Sequence, residues 1–292
     1  MTLKFTAMKK LFSPLIMLML FCISASAGKI VTDSLYSNIL KTTQKYNVYL
    51  PDGFDKADKK YPVIYLLHGL YGCYSDWVQT GNMKLVADEL IASGEAKEMV
   101  IIMPNAGSAD VRNYQNGYFN VEDWPYEDFF FQEFMPEVEK KYRIISDKQH
   151  RAIMGLSMGG GGSVVYCQKH PDMFSSCYAM SAWLDNKSGQ VGGRNEKKDK
   201  LWIVSQSVSA NSAIDFVGNA NEDTVQKLRT IKWFIDCGDD DILMDLSVLL
   251  FQKMRAKRIK AELRINNGVH NWEYWHLALR QALPFASRNF GL

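Results

Sequence analysis

The chain has 292 residues, 47% of them hydrophobic and 23% charged, and carries a formal charge of +2. That length and balance suit one sizeable core and exclude a disordered chain. So small a net charge gives no electrostatic case for nucleic acid or an anionic membrane as partner.

At the start, Lys9 and Lys10 precede an apolar stretch from Leu11 to Ile23, and Ala25-Ser26-Ala27 supplies the small-residue pattern that signal peptidase cuts. Residues 1–27 therefore read as a signal peptide, removed after Ala27, with Met1 and Met8 equally suited as the start. The apolar run is 13 residues long and interrupted by Pro14, too short for a membrane span of about 20. Phe21 before Cys22 matches a lipoprotein acylation site poorly. Export to the periplasm or medium without an anchor is the expectation. Without the leader, 31 basic face 32 acidic side chains, a formal charge of −1.

From residue 28 to 292 the pattern predicts a single catalytic domain. Lys29 to Ser37 and Thr42 to Leu50 are close enough to be antiparallel strands at one edge. Short apolar runs follow at Val63 to Leu67, Met99 to Met103, Ala152 to Met154, Cys177 to Met180, Ile231 to Ile235 and Leu263 to Ile265. Several are apolar throughout, as strands covered on both faces must be. Lys84 to Ala92, Tyr126 to Lys141, Gly161 to Lys169, Ile242 to Lys257 and Trp272 to Phe285 read as helices. This alternation predicts an α/β fold with a mainly parallel central sheet, helices on both faces and an antiparallel N-terminal edge. Residues 182–230 break the rhythm and predict a cap or loop insertion, or a solvated surface excursion around Arg194 to Lys200.

Cys73, Cys167, Cys177 and Cys237 remain in a compartment that permits disulfides. Their apolar settings favour buried thiols, with a Cys167–Cys177 bridge left open. No His/Cys spacing suggests zinc, and no cofactor motif is present.

Chemistry concentrates at Gly155-Leu156-Ser157-Met158-Gly159, between the strand-like Ala152-Ile153-Met154 and the helix-like Val164-Val165-Tyr166. A serine on a strand-to-helix turn flanked by glycines is the setting of a nucleophile elbow. The glycine run continues through Gly160, Gly161 and Gly162, which predicts close backbone packing at the helix start. Serine needs a base, and there are five histidines. His68, His150 and His170 all precede the last strand, and His276 falls inside the final predicted helix. His270, in the loop after the last strand, is the predicted general base. Its acid should follow the preceding strand, where Asp236, Asp239, Asp240 and Asp241 cluster; position does not choose among them, and their spacing lacks the alternation of a calcium loop. The oxyanion donors are assigned to the Met158 amide and to the Leu70 amide in His68-Gly69-Leu70-Tyr71-Gly72.

Together, Tyr61 to Gly69, Ile102-Met103-Pro104-Asn105, Gly155 to Gly160, Cys237 to Asp241 and Gly268 to Trp275 resemble the "Putative esterase" family of α/β-hydrolases, which includes esterase D, tributyrin, feruloyl and acetylxylan esterases and the antigen 85 mycolyltransferases. The resemblance covers Val31 to the C-terminus, weakest over 185–230. It implies Asp241 as the acid, by a Gly-x-x-Asp segment, and supports His270 in Gly-x-His-x-Trp and Leu70 after His-Gly. Val269 departs from the smaller residue some members carry. The expectation is an exported serine esterase using Ser157, Asp241 and His270 through an acyl-enzyme, without metal or cofactor. Kinship further implies acetyl or feruloyl groups on plant polysaccharides as substrates. Tyr71, Trp77, Trp183 and Trp272 are the candidate substrate-binding residues, with core packing as the alternative for each. An acyltransferase with the same triad, or a non-catalytic carbohydrate-binding relative, are the rival readings.

Overall fold

The computed structural model describes residues 27–107, 117–187, 189, 192 and 199–291. Residues 1–26 of the predicted signal peptide and the stretch Arg194 to Lys198 lie outside these residues. The first two strands, β1 (Lys29–Ser37) and β2 (Thr42–Leu50), pair antiparallel, Lys29 opposite Leu50 and Ser37 opposite Thr42. Strands β3 (Val63–Leu67), β4 (Val100–Met103), β7 (Arg151–Leu156) and β8 (Ser176–Met180) are buried at every residue, as sheet interiors covered on both faces require. Between them in sequence, β5 (Asn120–Val121) and β6 (Trp124–Pro125) make a small separate ribbon. With β9 (Lys232–Gly238) and β10 (Ala261–Asn266), the main sheet runs β1-β2-β4-β3-β7-β8-β9-β10. The first two junctions, β1 with β2 and β2 with β4, are antiparallel and the rest parallel. All parallel strands therefore end on one edge, where ligands gather in open α/β sheets.

Alternation along the strands sorts side chains into two cores. Val63, Tyr65 and Leu67 join one apolar cluster while Ile64 and Leu66 join the other. The second face is covered by α2 (Met83–Ala92), which follows the one-turn α1 (Asp76–Gln79), and by the last helix of the chain, Trp272–Arg288. The first face carries the segment from α3 (Tyr126–Phe129) to α4 (Met135–Lys141), α5 (Met158–Lys169) and α9 (Met244–Ala256). Each fully buried Leu, Ile or Phe contributes about 1.5–3 kcal/mol.

Two departures from the sequence pattern have local causes. The run Tyr126 to Lys141 is not one α-helix, because Phe130–Phe134 forms a wider π-turn. Pro136 cannot donate the next helical hydrogen bond, and the wide turn buries Phe130 against Tyr65 (5.5 Å) and Tyr166 (5.0 Å). In the predicted insertion, α6 (Lys200–Ala210), α7 (Ala213–Asn219) and α8 (Glu222–Leu228) are each capped at their N-terminus by a side chain, Asp199, Ser212 and Asn221. Val204, Val208, Ile214 and Val217 lie in the core, so residues 200–228 belong to the body of the fold rather than to a surface excursion. The four cysteines are free and buried, so Cys167 and Cys177 form no bridge.

The glycines of α5 mark where this helix meets the sheet. A Cβ on Gly161 would sit 2.1 Å from the Trp183 carbonyl oxygen, whereas Gly218 in α7 has open space around it. Gly161→Ala is expected to lower stability by about 1–3 kcal/mol through overpacking. Gly218→Ala is expected to raise it by roughly 0.5–1 kcal/mol through helix propensity. Urea unfolding midpoints of the two variants check both signs.

Candidate active site

Ser157 stands between β7 and α5 with φ 53° and ψ −118°, a conformation that costs a non-glycine residue about 1–3 kcal/mol. Its neighbours hold it there. Its N–H donates to the Met180 carbonyl at 2.9 Å, and its own carbonyl accepts the N–H groups of Gly161 (3.0 Å) and Trp183 (2.9 Å). The tight turn brings chain segments too close for side chains. A Cβ on Gly155 would lie 2.6 Å from the Gly159 backbone, and one on Gly159 would lie 2.5 Å from the His68 carbonyl oxygen. Ser157 stays 8% exposed at the end of the sheet.

The loops after β9 and β10 deliver the other two groups. His270 Nε2 lies 3.0 Å from Ser157 Oγ, and its Nδ1 lies 2.9 and 3.0 Å from the two carboxylate oxygens of Asp241. Nδ1–H donates to the acid, which leaves Nε2 as the acceptor facing the hydroxyl. Asp241 Oδ1 also accepts the Leu243 N–H at 2.8 Å. Burial by itself raises the Asp241 pKa, but the donors His270 and Leu243 outweigh it and hold the carboxyl below its usual range. The other aspartates of the cluster do different work. Asp239 Oδ1 accepts the Gly268 N–H at 2.9 Å, and Asp236 is fully buried against Arg264, Tyr178 and Tyr274. Asp240 is exposed, its main-chain N–H bound to the Gly268 carbonyl at 3.0 Å. His276 donates from Nδ1 to the Gly81 carbonyl at 3.0 Å, a tie from the last helix to the turn between α1 and α2, away from the serine.

Among the described residues, neither the Leu70 nor the Met158 N–H has a protein acceptor. The Leu70 amide is aimed by a side chain the sequence did not single out for that purpose. His68 Nδ1–H donates to the Gly69 carbonyl at 2.8 Å, and its Nε2 accepts the Ala106 N–H at 3.0 Å. The Gly69 carbonyl and the Leu70 N–H belong to one planar trans peptide, so fixing the first directs the second.

A cavity of about 430 Å³ opens at Ser157, lined by Leu70, Tyr71, Trp183, Ile242, Trp272 and Trp275 among others. Tyr71, with φ 62°, is 56% exposed at its mouth. The expectation for Trp77 is corrected: it is fully buried, donates Nε1–H to the Leu67 carbonyl at 3.0 Å and supports Trp272 edge-on at 5.3 Å from beneath. A larger cavity, about 970 Å³ and rimmed by Arg255, Arg258 and Lys260, lies around the starts of β9 and β10, at the far end from the serine. Sequence reasoning also passed over Trp275, whose ring meets His270 edge-on at 4.9 Å, and Ser181, which accepts its indole N–H at 3.0 Å. Trp275 lies one helical turn past the Asn271 cap, where the predicted helix could have flagged it; Ser181 carries no signal in the sequence. Among the described residues no cluster of three or more His, Cys, Asp or Glu side chains could hold a metal ion.

The family described as "Putative esterase" matches residues 37–286. A solved ferulic acid esterase superposes with a TM-score of 0.86 at 46% identity, covering 90% of this chain and 99% of that one. An S-formylglutathione hydrolase from Agrobacterium tumefaciens superposes with a TM-score of 0.72 at 18% identity, covering 91% and 97% of the two chains, a likeness of fold. In sequence, 151 residues are 33% identical to an endo-1,4-beta-xylanase/feruloyl esterase of Xylanibacter ruminicola, covering 50% of this chain and 20% of that protein. An acetyl esterase of Caldicellulosiruptor saccharolyticus is 24% identical over 87% of this chain and 97% of its own length. The chain thus spans about a fifth of the first of these curated relatives.

Asp241, with a lowered folded pKa, contributes stability that is fully present above its unfolded value of about 3.9 and lost as pH falls through the folded value. The stability gap between wild type and Asp241→Asn is therefore expected to be widest near pH 7 and to shrink below about pH 4. Urea unfolding at the two pH values measures it.

Proposed function

Since the chain belongs to the "Putative esterase" family, we propose that it is an exported serine esterase that cleaves carboxylic esters through an acyl-enzyme on Ser157. The observation that carries this reading is the unbroken line from Asp241 through His270 to Ser157 Oγ, with contacts of 2.9 and 3.0 Å. His270 Nε2 takes the hydroxyl proton as Oγ attacks the ester carbonyl. Asp241 holds the imidazole tautomer and stabilises its cation. The tetrahedral oxygen gains its negative charge beside the Leu70 and Met158 N–H groups, which are already oriented and so need no reorganisation. His270 then returns the proton to the departing alcohol, and water releases the acyl group by the same steps. No metal or cofactor enters the scheme.

A hydroxycinnamoyl ester borne on a polysaccharide is the substrate class the reading favours. Its support is the aromatic lining of Trp183, Trp272 and Trp275 around the serine and the 46% identity to a ferulic acid esterase. Flat aromatic walls suit a planar acyl group by offset or edge-on stacking. Export is supported by the leader-like pattern of Lys9-Lys10, Leu11 to Ile23 and Ala25-Ser26-Ala27.

Ser157→Ala is expected to lower kcat/KM for methyl ferulate and p-nitrophenyl acetate by about 10⁴–10⁶-fold; wild-type rates in that variant would refute the scheme. Trp272→Ala is expected to raise KM for methyl ferulate by about three- to tenfold while leaving p-nitrophenyl acetate nearly unchanged. Steady-state kinetics on both esters decides.

A further inference from the structure

The cavity of about 970 Å³ at the starts of β9 and β10 has no part in the scheme above. The parallel strands run from it toward the serine, and a strand the length of β9 spans about 20 Å, so it is separate from the cavity at Ser157. Its wall is aromatic and comes from both faces of the sheet, with Phe251 on α9, Phe285 on the last helix and Trp233 on β9 itself. Phe251 is half-buried, and the other two rings are buried. The Trp233 indole N–H is already bound to the Leu228 carbonyl at 2.9 Å.

Around that wall stand Arg229, Lys232, Arg255, Arg258, Lys260 and Arg288, against one acid, Glu262. Without the leader the chain has a formal charge of −1, so this is a local concentration. Among the described residues, Arg229 pairs with Glu222 at 2.9 Å and Arg288 lies 3.9 Å from Glu262, while Lys232, Arg255, Arg258 and Lys260 form no ion pair. Cations serve helix C-termini, and that explains Arg229, which donates to the Lys257 carbonyl at 2.8 Å. It does not explain Lys232, which opens β9, or Lys260, which directly precedes β10. Like charges gathered at one cavity repel until an anion joins them. The Arg255 guanidinium lies over the Phe251 ring, 5.7 Å from its centroid, and that of Arg288 over the Phe285 ring at 5.0 Å. A guanidinium seated on a ring keeps its N–H donors at its edge, where a carboxylate can take them in pairs.

We propose that this cavity is a second binding site, for an aromatic carboxylate, in which the aromatic wall takes the planar body and Arg255, Arg258 and Lys260 take the charge. The hydroxycinnamate released at Ser157 is an anion of that shape, and the site holds it away from the catalytic groups. That choice of source rests on the esterase reading given above; the ligand chemistry does not.

The competing account is that the cations serve only solubility and helix ends. Ferulate binding is measured by titration calorimetry on protein whose Ser157 is blocked with a fluorophosphonate, beside dodecanoate, inorganic phosphate and methyl ferulate, which has the same ring without the charge. Arg255→Gln combined with Lys260→Gln removes two exposed cations, and urea unfolding establishes that the double variant folds as stably as wild type. Its affinity for ferulate is expected to fall about ten- to thirtyfold, and wild-type affinity to fall about three- to tenfold between roughly 0.02 and 0.5 M salt. Methyl ferulate and phosphate are expected to bind at least about tenfold more weakly than ferulate. Its kcat and KM on p-nitrophenyl acetate are expected to stay within about twofold of wild type. Absence of ferulate binding, equal affinity in the double variant, or phosphate or methyl ferulate binding as tightly as ferulate overturns the proposal. Tighter binding of dodecanoate than of ferulate overturns the aromatic occupant. If the fluorophosphonate fails to label Ser157, the esterase reading falls, and calorimetry on unblocked wild type and double variant still decides the cavity.

Discussion

The backbone of Ser157 is held at φ 53° and ψ −118° by three hydrogen bonds, to the start of α5 and to the chain at the end of β8, and the geometry of the whole site is measured from that point. A peptide forced into this region relaxes unless its surroundings over-determine it. Here Met180, Gly161 and Trp183 bind its N–H and carbonyl, and the approach of Gly155 and Gly159 to the neighbouring main chain leaves no room for another arrangement. The same bonds start α5 immediately after the serine. The Met158 amide thereby becomes a free helix N-terminal donor beside Oγ. Strain, helix start and free amide donor are one structural event.

The opposite side of the site is fixed by cross-links between two loops. Asp239 N–H donates to the Asn266 carbonyl, Asp240 N–H to the Gly268 carbonyl, and Gly268 N–H to the Asp239 carboxylate. These bonds make the loops after β9 and β10 move as a unit, so the distance between Asp241 and His270 does not depend on two independent excursions. Beneath them, Tyr274 and Arg264 bind the buried Asp236. Gly268, with φ 158°, leaves room for the Tyr274 ring, which a Cβ there would meet at 2.3 Å. A buried charge with several donors is costly to dismantle, and this one sits where it anchors the base of the histidine loop.

Most of the fold was legible because burial leaves a periodic trace. Strands covered on both faces must be apolar throughout, as Val63 to Leu67 is, and the N-terminal pair ends at the residues its pattern marks. Ser157 was legible because close backbone approach demands glycine, a demand visible in composition. His270 came from counting histidines against chain order. The acid was harder, since four aspartates stand within six residues and nothing local separates them. The difference between Asp236, sealed against Arg264, and Asp241, facing His270, arises because the first lies inside β9 and the second in the loop beyond its end.

Trp77 and Trp272 show the limit most clearly. Both are tryptophans near the predicted site, yet one is sealed under the other, and only the stacking of α1 against the last helix decides which meets solvent. Ser181 is likewise an ordinary serine in the chain and, in space, a strained, buried acceptor for the Trp275 indole. The sequence by itself determined the sheet, its helical cover and the chemical identity of the serine and histidine, because periodicity and glycine placement are local properties. Only the tertiary structure decided which carboxylate and which indole stand beside them, because those choices depend on directions and distances between segments far apart in the chain.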